Sequence, residues 1–298
     1  MRKVVLTTMI LSGLLTASEF EYGTGTFNVS GGFLGLDGSI GTDVSTFSLV
    51  DRHSNLPSSD FFYGYDFTWY DSEMLKQAQH SYNNISLVMK IPAIKHRLKG
   101  LDANIRLGYD VIKKDADNFL GIGVLFGLSI PWIESSKDDS ASATFTSIGD
   151  NIDNPLYERD YFGDSKTEII TYKIGPSINF QKSLVSDKLS LYGIASFAYQ
   201  TGYIENDTID SELTVNGTFQ EYNLGLYYTP FTETYEWGWL TLSPRIYGTL
   251  GYKYSEWDLD EVVIDISGAK LSSDVLDPLG MKFGMDSSVG YFGVGYSF

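Results

Sequence analysis

The last twelve residues, Ser287 to Phe298, read SSVGYFGVGYSF. Successive side chains of a β-strand point to opposite faces, so this stretch predicts a strand with two different faces. One face carries four large apolar side chains: Phe292, Val294, Tyr296 and Phe298. The other face is mostly small, with Gly293 and Gly295, and would leave space beside it. Such regular alternation is unusual for the terminal residues of a soluble protein, which commonly fray.

This terminal segment resembles the closing strand of a Gram-negative outer-membrane β-barrel. The resemblance is to porin-like barrels as a class and indicates no narrower family. It implies that Gly293, Tyr296 and Phe298 form an assembly signal read by the barrel-assembly machinery. It also implies surroundings of outer-membrane lipid and lipopolysaccharide. Phe292 departs from the usual pattern, because a polar residue is common at that position.

Residues 1–18, MRKVVLTTMILSGLLTAS, predict an exported protein. They combine a basic start, a short apolar core and a small-residue cleavage site, as in a secretory signal peptide. The apolar core is shorter than the roughly 20 residues of a membrane-spanning helix, which disfavours an uncleaved anchor. We therefore expect a signal peptide at 1–18, a single barrel domain at 19–298 and location in the cell outer membrane.

The composition agrees with a barrel. The chain has no cysteine, 21 Tyr, 18 Phe and 30 Gly, and its formal net charge is −17. The absence of cysteine rules out disulfides and thiol chemistry. The negative charge argues against nucleic acid as a partner. Aromatic girdles and acidic outer loops suit a transmembrane barrel, whereas a secreted β-sandwich would show shorter strands.

Strand length favours the barrel over the sandwich. Residues 239–253 alternate for fifteen residues, and 101–111 place leucine, isoleucine and tyrosine opposite aspartate, asparagine and arginine. Fifteen residues at about 3.3 Å each, tilted about 45°, cross a bilayer. We expect an all-β fold, a transmembrane antiparallel up-and-down β-barrel. It should have about ten strands (range 8–12), long extracellular loops and short periplasmic turns.

The connections between these strands indicate which end faces outward. Short ones fall near 113–118, 182–187 and 230–238, and long ones at 134–166 and 255–286. Each long segment holds eight acidic residues against two or three basic ones. Carboxylates suit divalent cations, so cations or lipopolysaccharide phosphates are candidate partners there. The alternative is a solvated loop, because no metal-binding motif is present.

Residues 71–98 fit the strand pattern poorly. Residues 72–79 predict a short helix with Asp71 or Ser72 as its N-cap. Whether residues 71–92 lie outside or in the periplasm is left open. We favour the outer placement, because it keeps the strand count even and makes 94–111 one long strand.

Charged residues on the predicted inward faces are the candidate lumen lining: Asp102, Arg106, Asp110, Lys173, Glu221, Arg245 and Lys253. A barrel of this size has a narrow lumen, where charges must be paired or hydrated. The same residues could form a salt-bridge plug or a charged constriction that selects solutes. We expect no resident metal ion and no cofactor.

An enzyme is not expected. The architecture is similar to that of omptin-type outer-membrane proteases, which use Asp–Asp and Asp–His pairs at the outer rim. Here the three histidines, His53, His80 and His96, lie in the first third of the chain, and the corresponding rim near 205–210 has none. The expected role is structural or porin-like, with passive permeation of small solutes as the porin-like form. A surface interaction protein (adhesin or scaffold) is the alternative, and a rim-located hydrolase a weaker one.

Overall fold

The computed structural model describes part of the chain in separate segments: residues 19–33, 36–56, 59–77, 80–84, 87–91, 93–112, 118–137, 144–147, 157–158, 165–185, 188–207, 212–231, 233–237, 240–242, 245–266, 269–271 and 282–296. The predicted signal peptide and Phe298 lie outside these residues. Within them, no helix is long and apolar enough to cross a membrane.

Ten long strands form one closed antiparallel barrel, which confirms the predicted fold and strand count. Each strand pairs with its two neighbours in sequence, and β1 closes the barrel against β10, with Glu19 opposite Gly295. The strands are β1 (Glu19–Phe33), β2 (Leu36–Asn55), β3 (Phe61–Ser72), β4 (Ile94–Asp110), β5 (Asn118–Lys137), β6 (Ser165–Val185), β7 (Leu189–Asn206), β8 (Glu212–Tyr228), β9 (Ile246–Ile266) and β10 (Lys282–Tyr296).

The two ends of the barrel differ. The turn end holds the connections at 56–60, 111–117, 186–188 and 229–245, together with residue 19. The loop end holds the two-residue connection after Phe33 and the longer connections at 73–93, 138–164, 207–211 and 267–281. β9 continues further toward the loop end than the sequence indicated, since it runs to Ile266. The predicted outer loop over 255–286 is therefore shorter.

The strand predicted over residues 239–253 is wrong in its first half. Tyr235–Trp237 and Leu240–Leu242 instead form a small hairpin at the turn end, and β9 begins at Ile246. In the sequence, Pro244 stands between this hairpin and β9. Proline has no backbone N–H to donate in a sheet, so it counts against one continuous strand even though apolar and polar residues alternate across it.

The helix predicted over 72–79 is also wrong. Leu75–Gln77 is a short strand that pairs with the start of β4, Leu75 lying opposite His96. β3 pairs with β4 only as far as Asp71 and Lys99, so the edge of β4 beyond Lys99 needs another partner. Satisfying those backbone groups overrides helix propensity. Residues 73–93 connect β3 to β4 at the loop end of the barrel, as the outer placement favoured from the sequence requires.

A second, smaller sheet lies at the loop end. His80–Asn84 and Leu87–Ile91 form a hairpin, and Leu87–Ile91 also pairs with Thr144–Ser147 from the β5–β6 connection. Tyr157–Glu158 completes this four-stranded sheet. Two connections that are distant in sequence are thereby joined outside the barrel.

The faces of the strands are inverted relative to a soluble sheet. On β10, Phe292 and Val294 are 57% and 58% exposed, while Tyr291 is buried. On β4, Leu107 is exposed and Arg106 is buried. The exterior is apolar and rich in aromatic rings, including Phe20, Tyr22, Phe126, Tyr172, Phe197, Tyr199, Tyr222, Tyr252 and Tyr296.

The small face of β10 does not leave open space. A Cβ atom on Gly293 would overlap the Glu19 carboxylate and the Thr249 hydroxyl, whereas one on the outward-facing Gly290 would meet only the Thr24 carbonyl oxygen at 4.0 Å. The expectation of a roomy lumen beside this strand is therefore wrong. Neighbouring strands supply the side chains that fill it.

Gly293→Ala should lower the free energy of unfolding by about 1–3 kcal/mol, because the added methyl group overpacks a filled interior. Gly290→Ala on the same strand should change it by no more than about 0.5 kcal/mol. Urea unfolding of the two refolded variants and the parent in one detergent measures both values. Equal costs at the two glycines would contradict the filled interior.

Candidate functional site: the barrel lumen

The turn end of the lumen is closed by an arginine-centred network. The Arg52 guanidinium on β2 forms ion pairs with Glu19 and Glu21 on β1. It also donates to the Tyr192 hydroxyl on the opposite wall, at 3.0 Å. Tyr192 in turn shares a hydrogen bond with Tyr291. The network therefore joins facing walls of the barrel.

A second network crosses the middle of the lumen. Arg106 on β4 forms ion pairs with Asp66 on β3 and Glu221 on β8. Lys253 Nζ on β9 contacts the same two carboxylates at 2.8 and 3.1 Å. These four buried or nearly buried groups tie four strands together.

Asp102 extends this central network along β4 and across to β6. Lys173 Nζ lies 2.6 Å from Asp102 Oδ1, and both side chains are buried. The Asn104 amide donates to Asp102 at 2.7 Å and to Asp66 at 3.2 Å. The central network thus sets three carboxylates against three cations, so the buried charges compensate one another.

The central carboxylates have the spacing of a metal site but not its charge balance. Asp66, Asp102 and Glu221 each offer an oxygen, and these atoms lie within 4.8 Å of one another. All three carboxylates already contact Arg106, Lys173 or Lys253. A divalent cation would add positive charge to a group of side chains that is already balanced. The donor set therefore does not fit a resident metal ion.

An apolar plug fills the lumen next to the central network, toward the loop end. Phe27 on β1 stacks on Tyr70 and Trp257, with ring centroids 5.3 and 5.8 Å apart. Trp257 donates to Ser129 on β5 at 2.9 Å, and Lys173 Nζ lies 3.8 Å from the centre of the Phe219 ring. Other buried members of the plug include Val44, Leu98, Leu125, Ile169, Val215, Leu259 and Met285.

One small cavity interrupts these layers. Its volume is about 30 Å³, and Tyr70, Asp102, Lys253 and Trp257 are among its lining residues. That volume holds about one water molecule. The Tyr70 hydroxyl is buried without a hydrogen-bond partner among the described protein atoms, so a single water here would satisfy it.

The structure brings most of the predicted lumen residues together. Asp102, Arg106, Lys173, Glu221 and Lys253 meet in the central network. Two others lie apart from it. Asp110 is buried at the turn end, where its carboxylate accepts from the Ile112 N–H at 3.1 Å. Arg245 is exposed in the turn before β9, so its expected lumen position is wrong.

Four important lumen residues were missed from the sequence: Glu19, Glu21, Arg52 and Asp66. A signal existed for Asp66, because it alternates with the aromatic residues Tyr63, Tyr65, Phe67 and Trp69 on β3. Glu19 and Glu21 alternate similarly with Phe20 and Tyr22. Arg52 lies near the end of β2, which runs from Leu36 to Asn55.

At the loop end, beyond Trp132, ion pairs lie at the barrel rim. Arg97 contacts Asp71 through two hydrogen bonds of 2.6 and 2.8 Å. Lys99 Nζ lies 2.8 Å from Glu134, and this hydrogen bond lowers the pKa of the Glu134 carboxyl. Because these groups are partly exposed, solvent weakens their mutual attraction.

The histidines lie in different environments. The His53 ring stacks on Phe119 at the turn end, with centroids 4.1 Å apart. His96 Nδ1 lies 2.9 Å from Ser135 Oγ at the loop end, and burial lowers the pKa of the His96 imidazole. The side chain of His80 is outside the described residues. The expectation that the chain is not an enzyme stays a prediction.

The central network should contribute strongly to stability. Arg106→Met should lower the free energy of unfolding by about 3–5 kcal/mol, because it leaves buried carboxylates short of a cation. Arg97→Met also removes an arginine–aspartate pair, but at the exposed rim, and should have little effect. Urea unfolding of both variants tests this difference. A loss at Arg106 no larger than at Arg97 would show that the central charges are hydrated.

Comparisons with known proteins return outer-membrane barrels at low similarity. No family model matches the chain, and no curated protein matches it. The outer-membrane protease OmpT of Escherichia coli shares 9% identity with a TM-score of 0.44, covering 95% of this chain and 98% of that one. OprG of Pseudomonas aeruginosa shares 12% identity with a TM-score of 0.34, covering 95% and 96%. The translocator domain of the autotransporter NalP of Neisseria meningitidis shares 10% identity with a TM-score of 0.34, covering 100% and 96%.

Proposed function

We propose that this chain is an outer-membrane β-barrel with a closed lumen, acting as a structural or interaction protein through its loop end. The observation that carries the proposal is the filled lumen. Two ion-pair networks and an aromatic plug link opposite walls of the barrel in successive layers. Passive permeation, the porin-like alternative, requires a continuous water path through these layers.

The apolar exterior supports the membrane location. β8 exposes Tyr222, Leu224, Leu226 and Tyr228, and these alternate with inward-facing residues that include the buried Glu221 and Asn223. Trp69 and Trp132 contact each other edge to face toward the loop end, with centroids 5.4 Å apart. Aromatic residues at the borders of an apolar band are typical of barrels in lipid.

The charged lumen residues suit a plug better than a selectivity filter. A filter presents its charges to passing ions, so those charges must be hydrated and accessible. Here Arg106 and Glu221 are at most 1% exposed and bind each other. Buried charges held this way brace the walls, and removing one partner is costly.

The loop end is the surface on which such a protein would meet partners. It carries exposed ion pairs and a small sheet that joins the β3–β4 and β5–β6 connections. Of the acidic segments predicted as outer loops, residues 134–137 and 165–166 lie at the loop ends of β5 and β6, and residues 255–266 and 282–286 belong to β9 and β10. Divalent cations and lipopolysaccharide phosphates stay candidate partners for these carboxylates.

The membrane location predicts a position-dependent cost for a charge on the exterior. Leu224→Arg should lower the free energy of unfolding from lipid vesicles by about 2–4 kcal/mol, as for arginine near the middle of a bilayer. Met74→Arg, at an exposed loop-end position, should cost little. Urea unfolding in vesicles compares the two, and an equal small effect would contradict the membrane assignment.

The closed lumen predicts an absence of channel activity. Protein refolded into a planar bilayer should produce no discrete conductance steps above the leak. Flotation of matched vesicles would establish that the protein has inserted. Reproducible steps from inserted protein, changed in size by Lys253→Met, would overturn the plug and restore the pore alternative.

A further inference from the structure

A cavity of about 220 Å³ lies in the loop-end half of the lumen, next to the apolar plug. Its walls come from the first six barrel strands and from the short strand Leu75–Gln77. The lining residues are Val29, Thr42, Ser72, Leu75, His96, Leu98, Ile133, Ser135 and Thr167. The function proposed above makes no use of this space.

The chemistry of the lining differs from that of the lumen beneath it. The described lining includes no aspartate, glutamate, lysine or arginine. Four aliphatic side chains supply apolar walls: Val29, Leu75, Leu98 and Ile133. An ion would enter this space without an opposite charge on these walls, which is costly. The cavity therefore favours an uncharged ligand with an apolar body.

Most polar groups of the lining already serve the barrel. The Ser72 hydroxyl accepts from the Leu98 N–H at 2.9 Å and donates to the Glu73 carbonyl at 2.8 Å. Thr167 Oγ1 accepts from the Asn206 amide at 2.8 Å. His96 and Ser135 instead hydrogen-bond side chain to side chain across the β4–β5 pair. A hydroxyl can rotate to donate or accept, so this pair can receive a polar group.

The charge state of His96 strengthens the preference for a neutral ligand. Burial lowers the pKa of the imidazole, so the ring is neutral near pH 7. A neutral ring does not attract an anion by its charge. An alcohol or phenol should therefore bind better than a carboxylate of the same shape.

The volume limits the size of the ligand. An apolar cavity of about 150 Å³ accommodates benzene. A cavity about half as large again suits roughly eight to ten non-hydrogen atoms, a ring or short chain bearing one polar group. Leu98 belongs both to the lining and to the plug, so the far wall of the cavity is closed toward the turn end.

We propose that this cavity is a binding site for a small uncharged amphiphile, whose apolar body contacts Leu75, Leu98 and Ile133 and whose hydroxyl meets the His96–Ser135 pair. The ligand enters from the loop end and is held there, since the plug blocks passage. The site binds its ligand and does not transport it. This proposal rests on the closed lumen of the proposed function, but it does not require any particular partner at the loop end.

Isothermal titration of the refolded full chain in detergent, with the heat of empty micelles subtracted, tests the site. The probe is 4-ethylphenol, and 4-methylbenzoate, which is of similar size, is its charged counterpart. We expect saturable binding of the phenol and at least tenfold weaker binding of the benzoate. Ser135→Ala should weaken phenol binding about three- to tenfold, as expected for one lost hydrogen bond.

Two further variants distinguish binding in the cavity from binding elsewhere on the barrel or in the micelle. Leu75→Trp enlarges a half-buried side chain of the cavity lining, on the short strand that pairs with β4, and should abolish binding. Ser177→Ala is the matched control for Ser135→Ala, because Ser177 is buried in the lumen but does not line the cavity. Circular dichroism would verify that each variant folds. Equal binding by the parent and all three variants, or tighter binding of the benzoate, would overturn the proposal.

Discussion

The closed barrel depends on charge compensation inside its own lumen. Because the exterior of the barrel is apolar, the lumen beneath the apolar plug is built from polar and charged groups that must satisfy one another. Arg106, Lys173 and Lys253 meet Asp66, Asp102 and Glu221, and these six side chains come from five strands. Ion pairs that cross the lumen fix the distance between facing walls, a role that apolar packing plays in a soluble protein.

The layers along the lumen change chemistry in a regular order. The Arg52 network lies at the turn end, the central network follows, then the aromatic plug, and finally the cavity beside His96. Lys173 links two layers, since its ammonium group contacts both Asp102 and the Phe219 ring. The charged layers are thereby shielded from the loop end by apolar side chains, which strengthens their attraction.

The sequence predicted the barrel because alternation has a period of two and persists over long strands. Arg106 and Glu221 were identifiable for the same reason, because they are charged residues on the predicted inward faces of alternating strands. Arg245 was misplaced because the alternation of side chains continues in the sequence past Pro244, whereas β9 begins only at Ile246. The helix near Leu75 was predicted from local propensity, whereas the edge of β4 determined the structure. Which charges pair across the lumen depends on strand order and shear, which alternation does not encode.

The filled lumen also changes where function must be sought. In a hollow barrel every inward charge is a candidate for selectivity, whereas here the buried charges are already bound to one another. A chemical role requires groups that a second molecule can reach. Two places at the loop end offer such groups. One is the rim with its small outer sheet, and the other is the uncharged cavity beneath it. Since the plug separates this cavity from the charged layers, a ligand can occupy it without disturbing the ion pairs that hold the walls.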